Sequence, residues 1–145
     1  AKIESGLLDP TYSKAKKIFA VLDELSKHNE LKAKDLINKK LIFIKPDMDI
    51  KEIIKEMRLH SISQMPVVTN DQCIGLISET ILLDAFGKKN VKIASDIMGD
   101  IPPIIAKDTS IEIISNLLKY YPIVIVSEKG NLLGVITKAD VLKAI

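Results

Sequence analysis

Close to its C-terminus the chain places a hydroxyl, an ammonium and a carboxylate within four positions: Thr137, Lys138 and Asp140, directly after Gly134-Val135-Ile136. An ionised carboxylate is a strong acceptor and can take hydrogen bonds from two adjacent hydroxyls. A hydroxyl at a strand–helix junction, with the unpaired N–H groups of the first helical turn, offers donors to an anion. Lys138 adds positive charge beside them. The same residues also read as helix capping, with Thr137 at N-cap and Asp140 at N3. The match to a capping box is loose, because that box prefers Glu or Gln at N3. On these residues alone both readings stand. An earlier stretch, Gly75-Leu76-Ile77-Ser78-Glu79-Thr80-Ile81, repeats the glycine and a hydroxyl but has Ile81 where the carboxylate would be.

Other chemistry is sparse. No Ser/His/Asp or Cys/His arrangement stands at a recognisable spacing, and no glycine-rich phosphate loop is present. With His28, His60 and Cys73 as its full set of imidazoles and thiols, the chain is poor in zinc ligands. The expectation is a protein that is not an enzyme and holds no metal or cofactor. Cys73 excludes an internal disulfide framework and fits a reducing cytoplasm. It falls in an apparent strand, where a thiol acts as apolar filler. Arg58 and His60 close a helix. They read as solvated helix-end cations favoured by the dipole, with reach toward a phosphate as the alternative. His28 reads as a surface residue, and Lys39-Lys40 and Lys88-Lys89 as solvated loop charges.

Composition narrows the class. The chain has 145 residues, 47% of them hydrophobic but only 4% aromatic, so its core is aliphatic. The net charge of +2 is too small to imply nucleic-acid binding. Arg58 is the sole arginine, which argues against a broad phosphate-directed surface. No apolar run approaches the roughly 20 residues of a membrane span, and the start AKIESGLLDP lacks the apolar stretch of a signal peptide.

The elements that position these groups occur twice. Ala33-x-Asp35-Leu36 recurs as Ala94-x-Asp96-Ile97, and Asp47, Ile50, Ile53 and Met57 recur as Asp108, Ile111, Ile114 and Leu118, all 61 positions later. Pro66-Val67-Val68 then aligns with Pro122-Ile123-Val124, 56 positions on, and Gly75 with Gly134, 59 positions on. This alignment implies a longer hairpin turn in the second copy. Each copy reads as a short strand (Leu41–Ile44; Ile104-Ile105), a helix, a hairpin (Met65–Thr69 with Cys73–Ser78; Ile123–Ser127 with Leu132–Thr137) and a closing helix (Glu79–Phe86; Lys138–Ala144). Asp49 with Glu52 forms a capping box for the first long helix, whose apolar stripe is Ile50, Ile53, Ile54 and Met57; Ser110 caps its counterpart. A unit of roughly 55 residues is small for a self-sufficient core, so the two copies must share one.

Order, spacing and the Gly134–Asp140 signature resemble CBS domains across Leu31–Ile145. The resemblance implies an α/β (α+β) fold: two CBS repeats of β-α-β-β-α packed with pseudo-two-fold symmetry, preceded by an N-terminal helix. The divisions expected are 1–30, 31–90 and 91–145. Such pairs are regulatory modules, and many bind AMP, ADP, ATP or S-adenosylmethionine between the repeats. By family position Asp140 takes both ribose hydroxyls, Thr137 and Lys138 meet a phosphate, and adenine sits between Ile101, Pro102 and Pro103 on one side and Tyr121, Pro122 and Ile123 on the other. The cleft at Ser78 and Ile81 reads as degenerate. A structural dimerisation module without nucleotide is the alternative. A homodimer is expected through apolar helix faces that include Leu82, Leu83, Phe86, Val141 and Leu142, which the family also uses.

The first 28 residues differ. Ile3-Glu4-Ser5-Gly6, Asp9-Pro10 and a helix carrying Ala15, Ile18, Phe19, Leu22 and Leu25 on one face resemble the end of a phage-repressor-type helix-turn-helix domain. This implies a fragment of a longer transcription regulator that meets DNA only through a missing N-terminal domain. An ordinary amphipathic lead-in helix is the other reading.

Overall fold

The computed structural model describes residues 30–38 and 42–145, together with Lys16 and Ile18. The residues likened to a helix-turn-helix end lie almost wholly outside the described residues, as do Leu41 and His28. In chain order the elements are α1 (Ala33–Leu36), α2 (Ile50–His60), β1 (Gln64–Thr69), β2 (Gln72–Ser78), α3 (Glu79–Ala85), α4 (Ala94–Ile97), β3 (Ile104–Ala106), α5 (Ile111–Leu118), β4 (Ile123–Glu128), β5 (Asn131–Thr137) and α6 (Lys138–Ala144). The fold is α/β, with two similar repeats.

Local chemistry sets the helix ends. The Asp49 carboxylate accepts from Lys51 N–H at 2.8 Å, one residue short of the expected partner Glu52. Ser110 accepts from Ile113 N–H and caps α5 as expected. Helix α2 ends at Ser61, whose φ of 53° closes it in a left-handed turn. Its stripe buries Ile53 and Met57, but Ile54 is 39% exposed. The α5 stripe Ile111, Ile114 and Leu118 is buried throughout.

The hairpins correct the alignment of the second copy. Pro66 pairs with Leu76 and Val67 with Gly75; Ile125 pairs with Val135 and Val126 with Gly134. Pro66 is therefore the counterpart of Ile125, not of Pro122, and one offset of 59 serves the whole hairpin. The two turns are equally long, Asn70-Asp71 and Lys129-Gly130, each with positive φ at both central residues. Both hairpins bulge at the same place, after Val67 and after Val126. The length difference lies between the helix start and the first hairpin strand, where the helix of the second repeat is the shorter one, Ile111–Leu118 against Ile50–His60.

This substitution explains an asymmetry between the sheets. Ile125 N–H donates to Pro103 O at 2.8 Å and zips β3 onto β4 in parallel. Pro66 has no N–H to give. In the first repeat the corresponding strand shrinks to a single parallel bridge of Ile44 with Val67.

The repeats exchange their leading turns. Ala33 N–H donates to Thr109 O and Ile111 N–H to Leu31 O; 61 positions on or back, Ala94 N–H donates to Met48 O and Ile50 N–H to Lys92 O. Ala33 and Leu36 thus lie in the core of the second repeat, with Ile111, Ile114, Leu118, Val124, Val126, Ile136 and Val141. Ala94 lies in the core of the first, with Ile44, Ile53, Met57, Met65, Val67 and Ile77. A third cluster of Cys73, Leu76, Ile123 and Ile125 seals sheet to sheet. Small residues permit the crossing: a Cβ added at Gly134 would stand 2.2 Å from Ile37 Cγ2, and one at Gly75 would stand 2.8 Å from Met98 Sδ.

Candidate functional site

A cavity of about 740 Å³ opens between the repeats, a volume suited to a small organic ligand. One wall is the end of β5 and the start of α6, with Thr137, Lys138, Ala139, Asp140 and Lys143. The opposite wall is the turn from α2 into β1, from Leu59 to Gln64. Pro122, Ile123 and Val135 supply an apolar floor, with Pro66 and Ile62 beside them. Asn38, whose N–H donates to Val135 O at 3.3 Å in the second repeat, and Ile42, which packs on the first core, complete the lining.

The Thr137–Asp140 junction forms a full reciprocal cap. Asp140 Oδ2 accepts from Thr137 N–H at 2.9 Å and from the Thr137 hydroxyl at 3.0 Å, while Thr137 Oγ1 accepts from Asp140 N–H at 3.3 Å. Every hydrogen bond of this carboxylate among the described residues falls on Oδ2, so Oδ1 is left with acceptor capacity on a residue that lines the cavity. Thr137 thus caps α6 from the cavity wall, with its hydroxyl 3.0 Å from Asp140 Oδ2. At Ser78 the hydroxyl accepts from Ile81 N–H at 3.2 Å, and Ile81 returns nothing.

Of the sequence-based site residues, Asp140, Thr137, Lys138, Pro122 and Ile123 meet at this cavity. Ile101, Pro102, Pro103 and Tyr121 are not among its lining residues. Pro102 is buried, while Ile101 and Tyr121 are 48% and 45% exposed. The exchange is the reason. The segment preceding β3 follows α4, which packs on the first repeat, and a Cβ added at Gly99 would stand 3.0 Å from Ile81 Cδ1. Asn38 and Ile42 occupy the equivalent place beside Asp140, 61 positions earlier than Gly99 and Pro103. They were not singled out from sequence; the paired Ala-x-Asp turns were the signal that could have found them.

His60 lines the cavity and its Nε2 lies 3.2 Å from Glu56 Oε2, whereas Arg58 lines a separate groove with Glu79 and Leu82. Cys73 is buried, its S–H donates to Gly75 O at 3.2 Å, and burial pushes its thiol above the ordinary range. Among the described residues no three His, Cys, Asp or Glu side chains are grouped to hold a metal ion. No helix among them is long and apolar enough to cross a membrane.

The CBS domain family model matches residues 33–88 and 94–145. A zinc metalloprotease of Methanocaldococcus jannaschii is 32% identical over 114 residues, covering 79% of this chain and 32% of that protein. The chain thus spans about a third of the length of that relative. The structure of CBSX2, a CBS-pair protein of Arabidopsis thaliana, in complex with AMP superposes with a TM-score of 0.69 at 20% identity, covering 78% of this chain and 94% of that one. The CBS domain pair of protein MJ0100 in complex with 5′-methylthioadenosine and S-adenosyl-L-methionine also gives a TM-score of 0.69, at 21% identity, covering 78% and 94%. At such identities the likeness is one of fold.

Proposed function

The chain belongs to the CBS-domain family, and we propose that its paired repeats form a regulatory sensor that binds one adenosine-containing ligand, AMP, ADP, ATP or S-adenosylmethionine, in the cavity beside Asp140. The observation that carries this reading is the Asp140 carboxylate, which caps α6 with one oxygen and keeps the other for the adjacent hydroxyls of a ribose. Pro122, Ile123, Val135 and Ile42 give the base apolar surface. Relatives of this fold hold AMP, methylthioadenosine and S-adenosylmethionine, which supports the ligand class. Both repeats build the walls, so an occupant would bridge them, as a sensor requires.

The same reading includes a cytoplasmic homodimer that controls a DNA-binding regulator. Leu83, Phe86 and Leu142 are 75%, 89% and 70% exposed, which supports an apolar contact between copies. Val141 takes no part, because it is buried in the core of the second repeat. The link to DNA rests on the likeness of residues 1–28 alone. A purely structural dimerisation module is the second reading, favoured by Ile81 and by that exposed apolar surface.

A thermal-shift series with AMP, ADP, ATP and S-adenosylmethionine separates the two. A ligand at 100 times its Kd stabilises the folded state by about 2.7 kcal/mol. A concentration-dependent rise in Tm with any of the four supports the sensor. No shift with any of them, alongside a dimer by light scattering, supports the structural module.

A further inference from the structure

The two repeats carry opposite charge at equivalent positions. At the hairpin offset of 59, Lys138 corresponds to Glu79, Asp140 to Ile81 and Lys143 to Asp84. Helices α3 and α6 both begin directly after their paired strands, at Ser78 and Thr137, so these side chains leave equivalent points on equivalent helices. Among the described residues the ionisable side chains lining the cavity are Lys138, Lys143, His60 and Asp140. Lys143 follows Asp140 by three residues on α6 and shares its face. His60 approaches from the opposite wall. Among the described residues Asp140 is the sole carboxylate in this lining, and one of its oxygens is already held by Thr137.

Resting on the reading of this cavity as an adenosine site, we propose that it selects an adenosine bearing an anionic 5′ substituent, a nucleoside phosphate, over one bearing a sulfonium cation, with Lys138 and Lys143 as the selecting groups and His60 as a further donor. A ribose on Asp140 offsets the one carboxylate with hydrogen bonds. The remaining substituent then meets two ammonium groups, which attract a phosphate and repel a sulfonium. In the first repeat Glu79 and Asp84 stand at the equivalent positions, Arg58 lines the groove beside Glu79, and Ile81 withholds the ribose acceptor. The chain therefore takes a single phosphorylated ligand, in the second repeat.

Calorimetry on the full chain with AMP, adenosine and S-adenosylmethionine tests this. The variants are Lys138→Glu and Lys143→Asp, which write the residues of the first repeat into the second. Both lysines are exposed, so their replacement leaves the cores intact. The parent is expected to bind one AMP per chain, at least about tenfold more tightly than adenosine or S-adenosylmethionine. Each substitution is expected to cost AMP about tenfold and adenosine less than about threefold, and added salt is expected to erode the preference for AMP. Equal or tighter binding of adenosine or S-adenosylmethionine overturns the proposal while the adenosine reading stands, as does an AMP affinity unchanged in both variants. If none of the three ligands binds, the adenosine reading itself falls, and this proposal with it.

Discussion

Asp140 and Thr137 hold each other at the junction of β5 and α6: one carboxylate oxygen takes both the N–H and the hydroxyl of Thr137, at 2.9 and 3.0 Å. Capping therefore occupies one oxygen of this residue and leaves the other with acceptor capacity. Replacing Asp140 by Ala is expected to destabilise the fold by roughly 0.3–1 kcal/mol, the usual range for a carboxylate in the first turn of a helix. It is also expected to weaken an adenosine ligand at least about tenfold. Asp140→Asn keeps an acceptor for Thr137 and loses the charge, so its stability should stay near the parent while its ligand affinity falls. Urea unfolding without ligand, beside calorimetry with it, separates the two effects.

Gly134 sits where the exchanged segment passes closest. An added Cβ would stand 2.2 Å from the branched Cγ2 of Ile37, a distance no real contact tolerates. Gly134→Ala is expected to cost about 1–3 kcal/mol through overpacking. Ile37→Ala in the same chain should recover part of that loss, since it removes the atom in conflict. A double-mutant cycle by urea unfolding reads the coupling directly.

Asp96 gives the fold a dependence on acid. Its carboxylate accepts the N–H groups of Lys92 and Ile93 at 2.9 and 3.1 Å, and these bonds hold its pKa below the ordinary range. A depressed pKa means that the contribution is fully present above the unfolded value, near 3.9, and is lost as pH falls through the folded value. Asp96→Asn should therefore be less stable than the parent at neutral pH, with the difference closing below about pH 4. Urea midpoints measured from neutral pH down to acid check this; a gap that persists in acid would assign the effect to packing.

Cys73 is buried between the sheets with a raised thiol pKa, caused first by desolvation. Its thiolate is scarce and shielded, so a water-soluble disulfide reagent is expected to react at the rate of unfolding. Urea should accelerate the reaction in step with the loss of structure. Prompt labelling of the native chain would contradict the sealed interface between the repeats.

The register of the hairpins shows where sequence comparison misleads. Pro66 and Pro122 look alike and are both followed by β-branched residues, yet Pro66 is the counterpart of Ile125. Side-chain type aligned the prolines, whereas backbone pairing aligned Pro66 with a residue that does have an N–H. The equal two-residue turns and matching bulges were hidden by that choice.

The sequence by itself determined the two repeats, the order of their elements, the buried stripe of α5, and the junction that holds Thr137 and Asp140. Each of these is a local matter: the period of apolar residues, the reach of a capping side chain, the order of strand and helix. Only the tertiary structure decided which residues face Asp140. Leading turns α1 and α4 cross to the opposite repeat, because Ala33 and Ala94 bond to the carbonyls of Thr109 and Met48. That exchange ties Asn38 to Val135 beside the cavity, and Asn38 and Ile42 line it where Pro103 and its neighbours do not. Nothing in a local pattern encodes it, since a short turn buries its apolar face equally well against either of two similar cores, and the choice rests on backbone hydrogen bonds across the pseudo-two-fold axis.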